Sequence, residues 1–171
     1  MEKIVIIGYG TAGITAAGFA LKKSRNTKVT VIEKRKYAIY HPCSLPHVLS
    51  GELPLENVIE KARQTSRLKI LLGSEAIQID RDAREVTYIE GSEKKKISYD
   101  KLLISTGSTP FIPKVPGVDL KGVFKLKTVE DAEQIINYLP NCNRIAVIGG
   151  SAIGIEVASA LAAKKEVYLV E

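Results

Sequence analysis

Apolar residues gather in short unbroken runs near both ends of the chain and alternate with polar ones in between. Over residues 3–33 the run KIVIIG is followed by a glycine turn, a small-residue stretch TAGITAAGFALKK ending in lysines, and a second run KVTVIE. That order predicts strand, helix, strand, and strands this apolar belong to a parallel sheet covered on both faces. Residues 144–171, RIAVIGGSAIGIEVASALAAKKEVYLVE, repeat the plan down to the paired lysines and the closing glutamate, giving two βαβ units of one design. Between them RLKILLG, EAIQIDRD, REVTYIEG and KKISYDKLLIS are short, partly alternating runs. They predict a small antiparallel meander over 67–104 that returns to the main sheet. The proline-rich stretch TGSTPFIPKVPG (106–117) reads as a connection, with domains expected at 1–112 and 113–171. Beyond it, Thr128 and Asp131 form a capping-box pattern ahead of Val129, Ala132, Ile135, Ile136 and Leu139, which share one helical face.

Composition narrows the class. With 45% hydrophobic residues among 171, the chain can bury a proper core, and no apolar run approaches the roughly 18 residues of a membrane-spanning helix. The first strand starts at Lys3 and leaves no room for a signal peptide, and two cysteines at positions 43 and 142 do not make a disulfide framework. The expected setting is the cytoplasm, with thiols reduced. The net charge of +6 comes from scattered basic residues apart from EKRK (33–36) and KKK (94–96). Nucleic acid is not an expected partner, since such runs are solvated faces, whereas a mild positive field suits phosphate-bearing small molecules.

The two turns carry the first chemical signal. Gly8, Gly10 and Gly13 stand in GxGxxG spacing, with Thr11 and Ala12 between the last two. Gly8 permits the tight turn, Gly10 lets backbone approach a pyrophosphate, and Gly13 lets the helix pack close, so a phosphate meets free N–H groups at the helix start. Glu33, followed by Lys34, ends the second strand 25 residues after Gly8, where a carboxylate can accept from both ribose hydroxyls. In the second unit the three positions are Gly149, Ser151 and Gly154, and Glu171 lies 22 residues after Gly149. A carboxylate there would repel a 2′-phosphate and favour NADH over NADPH. The alternative for each unit is a plain, tightly packed βαβ without ligand.

The second signal is YAIYHPCSLPHVLSG (37–51). Leu45, Val48 and Leu49 make one apolar face of a short helix, Pro46 is tolerable in its first turn, and Gly51 supplies a stop. Cys43 then stands at a helix start, where the dipole favours the thiolate, a nucleophile toward disulfides or peroxides. The alternative is a buried structural cysteine. His41 and His47 flank it; His47 is a candidate proton donor to a leaving thiolate, and either histidine can instead simply pack or cap. No cluster has metal-ligand spacing, and Cys142 reads as incidental.

In this order the motifs resemble the FAD-dependent pyridine nucleotide-disulfide oxidoreductase superfamily, in which the first unit binds FAD and the second NAD(P)H. ISTGSTPFIPKVPG is similar to the family's ATGxxPxxPxxPG segment, with Ser105 in the alanine position, and the resemblance puts Thr106 and Gly107 close to the flavin. IGIE at 153–156 is similar to its second motif, which implies Ile153 and Glu156 beside the nicotinamide, and the Ala76 backbone against the adenine. CSLPHVLSG resembles the CGxPYxxSG segment of coenzyme A disulfide reductases, NADH oxidases and NADH peroxidases, whose single redox cysteine lies ten residues after the ribose acid, as Cys43 does after Glu33. Ser44 and His47 depart from the glycine and tyrosine of that pattern.

The resemblance implies a three-layer β-β-α, Rossmann-like FAD/NAD(P) domain with a meander, followed by the start of a second such domain. It further implies an NAD(P)H-dependent flavoenzyme that reduces coenzyme A disulfide, a persulfide, a peroxide or oxygen, and a homodimer when full length. Family members are longer, so the chain is expected to be an N-terminal fragment with an exposed parallel edge. Two rivals stay open: a thiol-independent reductase feeding a ferredoxin-like or rubredoxin-like protein, and a non-catalytic nucleotide-binding module.

Overall fold

A computed structural model describes residues 1–171. The chain divides into two compact units, one of residues 1–40 and 60–108, the other of 41–59 and 109–171.

In the first unit, strand β1 (Glu2–Ile7), helix α1 (Thr11–Lys23) and strand β2 (Thr27–Glu33) form the first βαβ. β1 and β2 run parallel from Glu2 opposite Thr27 to Ile7 opposite Ile32. The two-residue strands β3 (Ile39–Tyr40) and β4 (Ile59–Glu60) mark where the chain leaves this unit and returns. β5 (Leu68–Leu72) joins β2 in parallel, and β9 (Lys101–Ile104) joins β1 in parallel, giving the order β5-β2-β1-β9. β6 (Ser74–Asp80), β7 (Glu85–Glu90) and β8 (Glu93–Ser98) form a separate antiparallel sheet.

The meander is therefore smaller than the strand pattern predicts. RLKILLG is a strand of the parallel sheet, because Leu68, Ile70 and Leu71 are all buried and a strand this apolar needs cover on both faces. KKISYDKLLIS divides between β8 and β9, with Asp100 at the break accepting from the Lys3 N–H at 2.6 Å.

Alternation of side chains sorts the parallel sheet into two cores. Ile6, Val29, Val31, Leu68 and Ile70 face Ala17 and its neighbours on α1. Val5, Ile7, Ile32 and Leu71 face Val86 and Tyr88 of the meander. Helix, parallel sheet and meander make the three expected layers. Each fully buried Val or Ile contributes about 1.5–3 kcal/mol of burial.

In the second unit, a 3₁₀ turn over Pro42–Ser44 leads into helix α2 (Leu45–Ser50). Helix α3 (Val129–Tyr138) opens with the predicted box: the Asp131 N–H donates to Thr128 Oγ1 at 3.3 Å and the Thr128 N–H to Asp131 Oδ2 at 2.9 Å. Strand β10 (Arg144–Ile148), helix α4 (Ala152–Ala162) and strand β11 (Glu166–Val170) are the second βαβ, with β10 and β11 paired in parallel. α2 packs on α4 and α3, burying Leu45, Val48 and Leu49. Six residues do not hold a helix in water, so this packing is what keeps α2 formed. Ile148, Tyr168, Leu169 and Val170 on the β10–β11 pair are exposed. No helix of the chain is long and apolar enough to cross a membrane.

Candidate functional site

Strand order reverses at β1, with β2 on one side and β9 on the other, which opens a crevice at the carboxyl end of β1. The turn GYGTAG lies there. Gly8 has φ +96°, and a Cβ on it would strike the Ser105 carbonyl; a Cβ on Gly13 would strike the carbonyl oxygen of Gly8. Those two glycines are demanded by the protein itself. Gly10 is not: its φ of −76° suits any residue, and a Cβ there would meet nothing within 4 Å. The space beside Gly10 is open, and the first-turn N–H groups of α1, at Thr11, Ala12 and Gly13, have neither intrahelical partners nor a side-chain cap. The turn thus fits a pyrophosphate, which would use the room at Gly10 and the positive end of α1.

Ser105, just past β9, grips this turn from below, its hydroxyl 3.1 Å from the Ile7 carbonyl and 2.9 Å from that of Gly8. Thr106 and Gly107 follow it and are exposed. Ala76 lies at a bulge in β6, where the register with β7 skips Ile77. Lys34 points outward to an ion pair with Glu75 at 2.7 Å.

Glu33 is buried, 4% exposed, and its carboxylate is fully engaged. Oε2 accepts from the Tyr9 N–H at 2.7 Å and from Arg35 Nη2 at 2.8 Å. Oε1 accepts from the Arg35 N–H at 2.9 Å and from Arg35 Nε at 2.8 Å. Burial pushes this carboxyl up, but the Arg35 side chain, the two backbone N–H groups and the guanidinium charge outweigh it, and the net direction is down. The Arg35 guanidinium is held in turn over Tyr37 and Tyr40, 5.4 and 4.7 Å from their ring centres. Sequence reading passes over Arg35 because it sits in the run EKRK, which resembles any solvated basic patch.

The second unit reproduces the turn. Gly149 has φ +106°, a Cβ on Gly154 would strike the Gly149 carbonyl oxygen, and the Gly150 N–H donates to Glu171 as the Tyr9 N–H does to Glu33. The difference is at Ser151, whose hydroxyl accepts from the Gly154 N–H at 3.4 Å and so caps α4. Ile153 and Glu156 are exposed on α4.

Cys43 belongs to the same unit and is a free, exposed thiol in the turn that precedes α2, which removes the alternative of a buried structural cysteine. His47 is exposed on α2, its Nδ1 2.9 Å from Glu52 Oε2. The hydrogen bond from His47 draws the Glu52 carboxyl below its ordinary value. Lys164, in the turn after α4, closes the far end of α2 by donating to the Ser50 carbonyl at 2.6 Å. Glu33, Ala76, Thr106 and Gly107 are thus grouped with the first turn, and Cys43, His47, Glu156 and Glu171 with the second.

Comparison with known proteins agrees with this geometry. A family model described as pyridine nucleotide-disulphide oxidoreductase matches residues 2–171. An NADH oxidase of Methanocaldococcus jannaschii is 34% identical over 167 residues, covering 93% of this chain and 37% of that protein. A CoA-dependent NAD(P)H sulfur oxidoreductase of Pyrococcus abyssi is 32% identical over 170 residues, 95% of this chain and 37% of the relative. The solved structure of a NAD-dependent persulfide reductase from A. fulgidus superposes with a TM-score of 0.88 at 30% identity, over 98% of this chain and 34% of that one. The chain spans little more than a third of the length of these relatives.

Proposed function

The chain belongs to the pyridine nucleotide-disulphide oxidoreductase family, and from that premise we propose that it supplies the dinucleotide units and the redox thiol of an FAD-dependent NAD(P)H oxidoreductase. Its substrate class is a disulfide or persulfide, coenzyme A-linked forms included, with peroxide or oxygen as further acceptors. Residues 1–112 are read as the FAD unit and 113–171 as the NAD(P)H unit. The single observation that carries the reading is the exposed, unbridged thiol of Cys43 in a chain with two dinucleotide turns.

When bound, FAD would supply two-electron transfer between the nicotinamide and sulfur. The rest is the work of this chain's own residues. Gly10 and the first-turn N–H groups of α1 receive one pyrophosphate, with Thr106 and Gly107 on the flavin side and the Ala76 backbone at the adenine. Gly149, Ser151 and Gly154 receive the other, and Glu171 prefers a 2′-hydroxyl to a 2′-phosphate, hence NADH. Ile153 and Glu156 border the nicotinamide. The Cys43 thiolate attacks a substrate sulfur, one S–S bond forming as another breaks, and a thiolate leaves. As an imidazolium with Nδ1 donating to Glu52, His47 passes its Nε2 proton to that thiolate and is left as the neutral Nδ1–H tautomer. Two thiols and no bridge suit a reducing, cytoplasmic setting, and a homodimer of the complete protein accompanies this reading.

The test is Cys43→Ser in the flavin-loaded protein. Retained flavin absorbance with loss of NADH-dependent reduction of coenzyme A disulfide or persulfide is the expected result. Undiminished turnover would move the reading to thiol-independent electron transfer toward a ferredoxin-like or rubredoxin-like acceptor. Colourless protein that binds only ADP would make it a nucleotide-binding module.

A further inference from the structure

Each oxygen of the Glu33 carboxylate accepts two hydrogen bonds, and the four donors divide by kind. One backbone N–H reaches each oxygen, from Tyr9 to Oε2 and from Arg35 to Oε1. One guanidinium N–H also reaches each oxygen, from Nη2 to Oε2 and from Nε to Oε1, both at 2.8 Å. A carboxylate has about four acceptor positions, so none is left. A ribose diol carries two O–H donors on neighbouring carbons and needs one position on each oxygen, which is the pair the guanidinium holds. The backbone donors are fixed by the chain, Tyr9 by the turn at Gly8 and Arg35 by the end of β2, whereas the guanidinium can swing away.

We propose that Arg35 is a positioning residue of the ribose subsite: it fills the diol's two places on Glu33 and is exchanged for the ribose hydroxyls when an adenosine-containing dinucleotide binds. This rests on reading the first unit as a dinucleotide site. Arg35 has somewhere to wait, because its guanidinium already lies over the Tyr37 and Tyr40 rings, which meet each other edge to face at 5.8 Å. Cation–π contact keeps a displaced guanidinium nearby and ready to return. Until exchange, the pair holds a buried carboxylate compensated, so Glu33 is never left as an unpaired charge. The cost is affinity, since a ligand that must first displace a bonded group binds more weakly by the fraction of time the site is open.

The test compares ADP and 2′,3′-dideoxy-ADP binding to the wild type and to Arg35→Gln by calorimetry, with melting temperatures recorded without ligand. The expected result is a lower melting temperature for R35Q together with ADP binding about tenfold tighter, the gain expected where the site is open roughly a tenth of the time. Dideoxy-ADP, which has no diol to place on Glu33 and feels only the lost positive charge, should gain nothing. A purely structural arginine would lower the melting temperature and leave ADP binding unimproved, and that outcome overturns the proposal. So does an equal gain for dideoxy-ADP. If R35Q does not fold, Arg35→Lys, whose single ammonium covers one oxygen at a time, is held to the same criterion with a smaller gain. Failure of the wild type to bind either ADP or FAD would instead overturn the dinucleotide reading, and the exchange with it.

Discussion

Glu33 and Arg35, two residues apart at the strand end, meet through both carboxylate oxygens and the Nε–Nη2 edge of the guanidinium. The pair gives folding a pH signature. Burial raises the Glu33 carboxyl, the Arg35 and Tyr9 hydrogen bonds and the Arg35 charge together lower it by more, and it ends below the ordinary 4.5. A carboxyl lowered by folding stabilises the fold above its unfolded value, and that contribution is lost as pH falls through the folded one. Glu33→Gln should therefore be less stable than the wild type near neutrality, with the difference shrinking below pH 4.5, as thermal melts over a pH series would record. A constant difference down to acid would contradict the assigned cause.

Gly13 and Gly10 of the first turn should separate by substitution. Gly13→Ala drives a Cβ into the Gly8 carbonyl and should cost roughly 2–4 kcal/mol in urea denaturation. Gly10→Ala meets no atom and should stay within about 0.5 kcal/mol of wild type. Its effect belongs to the ligand: ADP affinity should drop by about tenfold or more, equivalent to at least about 1.4 kcal/mol. Unchanged ADP binding by Gly10→Ala would remove that turn from the cofactor site.

Ser151 separates capping from nucleotide approach in the second unit. Its 3.4 Å bond from the Gly154 N–H is long, so Ser151→Ala should cost about 0.5–1 kcal/mol, and Ser151→Gly only a few tenths. Chemical denaturation of the two variants gives both numbers. A cost above about 2 kcal/mol for either would mean that Ser151 does more than cap α4.

Lys164 should matter to α2 although the residue is exposed. Removing its bond to the Ser50 carbonyl by Lys164→Ala should cost about 0.5–1.5 kcal/mol. Hydrogen exchange should quicken at the end of α2, which carries His47 and follows Cys43, while protection in α3 holds. Uniform quickening across α2 and α3 would show global rather than local loosening.

What was legible in the sequence was local. Thr128 and Asp131 announce α3, and Leu45, Val48, Leu49 and Gly51 announce α2, because caps and helical spacing are written within a few residues. Both glycine turns are legible for the same reason. Partners across the chain are not: RLKILLG has strand composition, but nothing within it says whether its neighbour is β2 or β6. Arg35, Lys164 and Ser105 look like ordinary surface or loop residues, and their roles come from carbonyls and carboxylates that other segments bring to them.

The placement of residues 41–59 among elements made much later bears on synthesis. At about 5–20 residues per second, some 5 to 20 seconds separate the emergence of α2 from that of α4, on which it packs. Within that interval the parallel sheet can assemble as far as β9, while α2 gains its packing partners only as α3 and then α4 emerge. Cys43, in the turn just ahead of α2, waits with that helix for the packing that fixes its place.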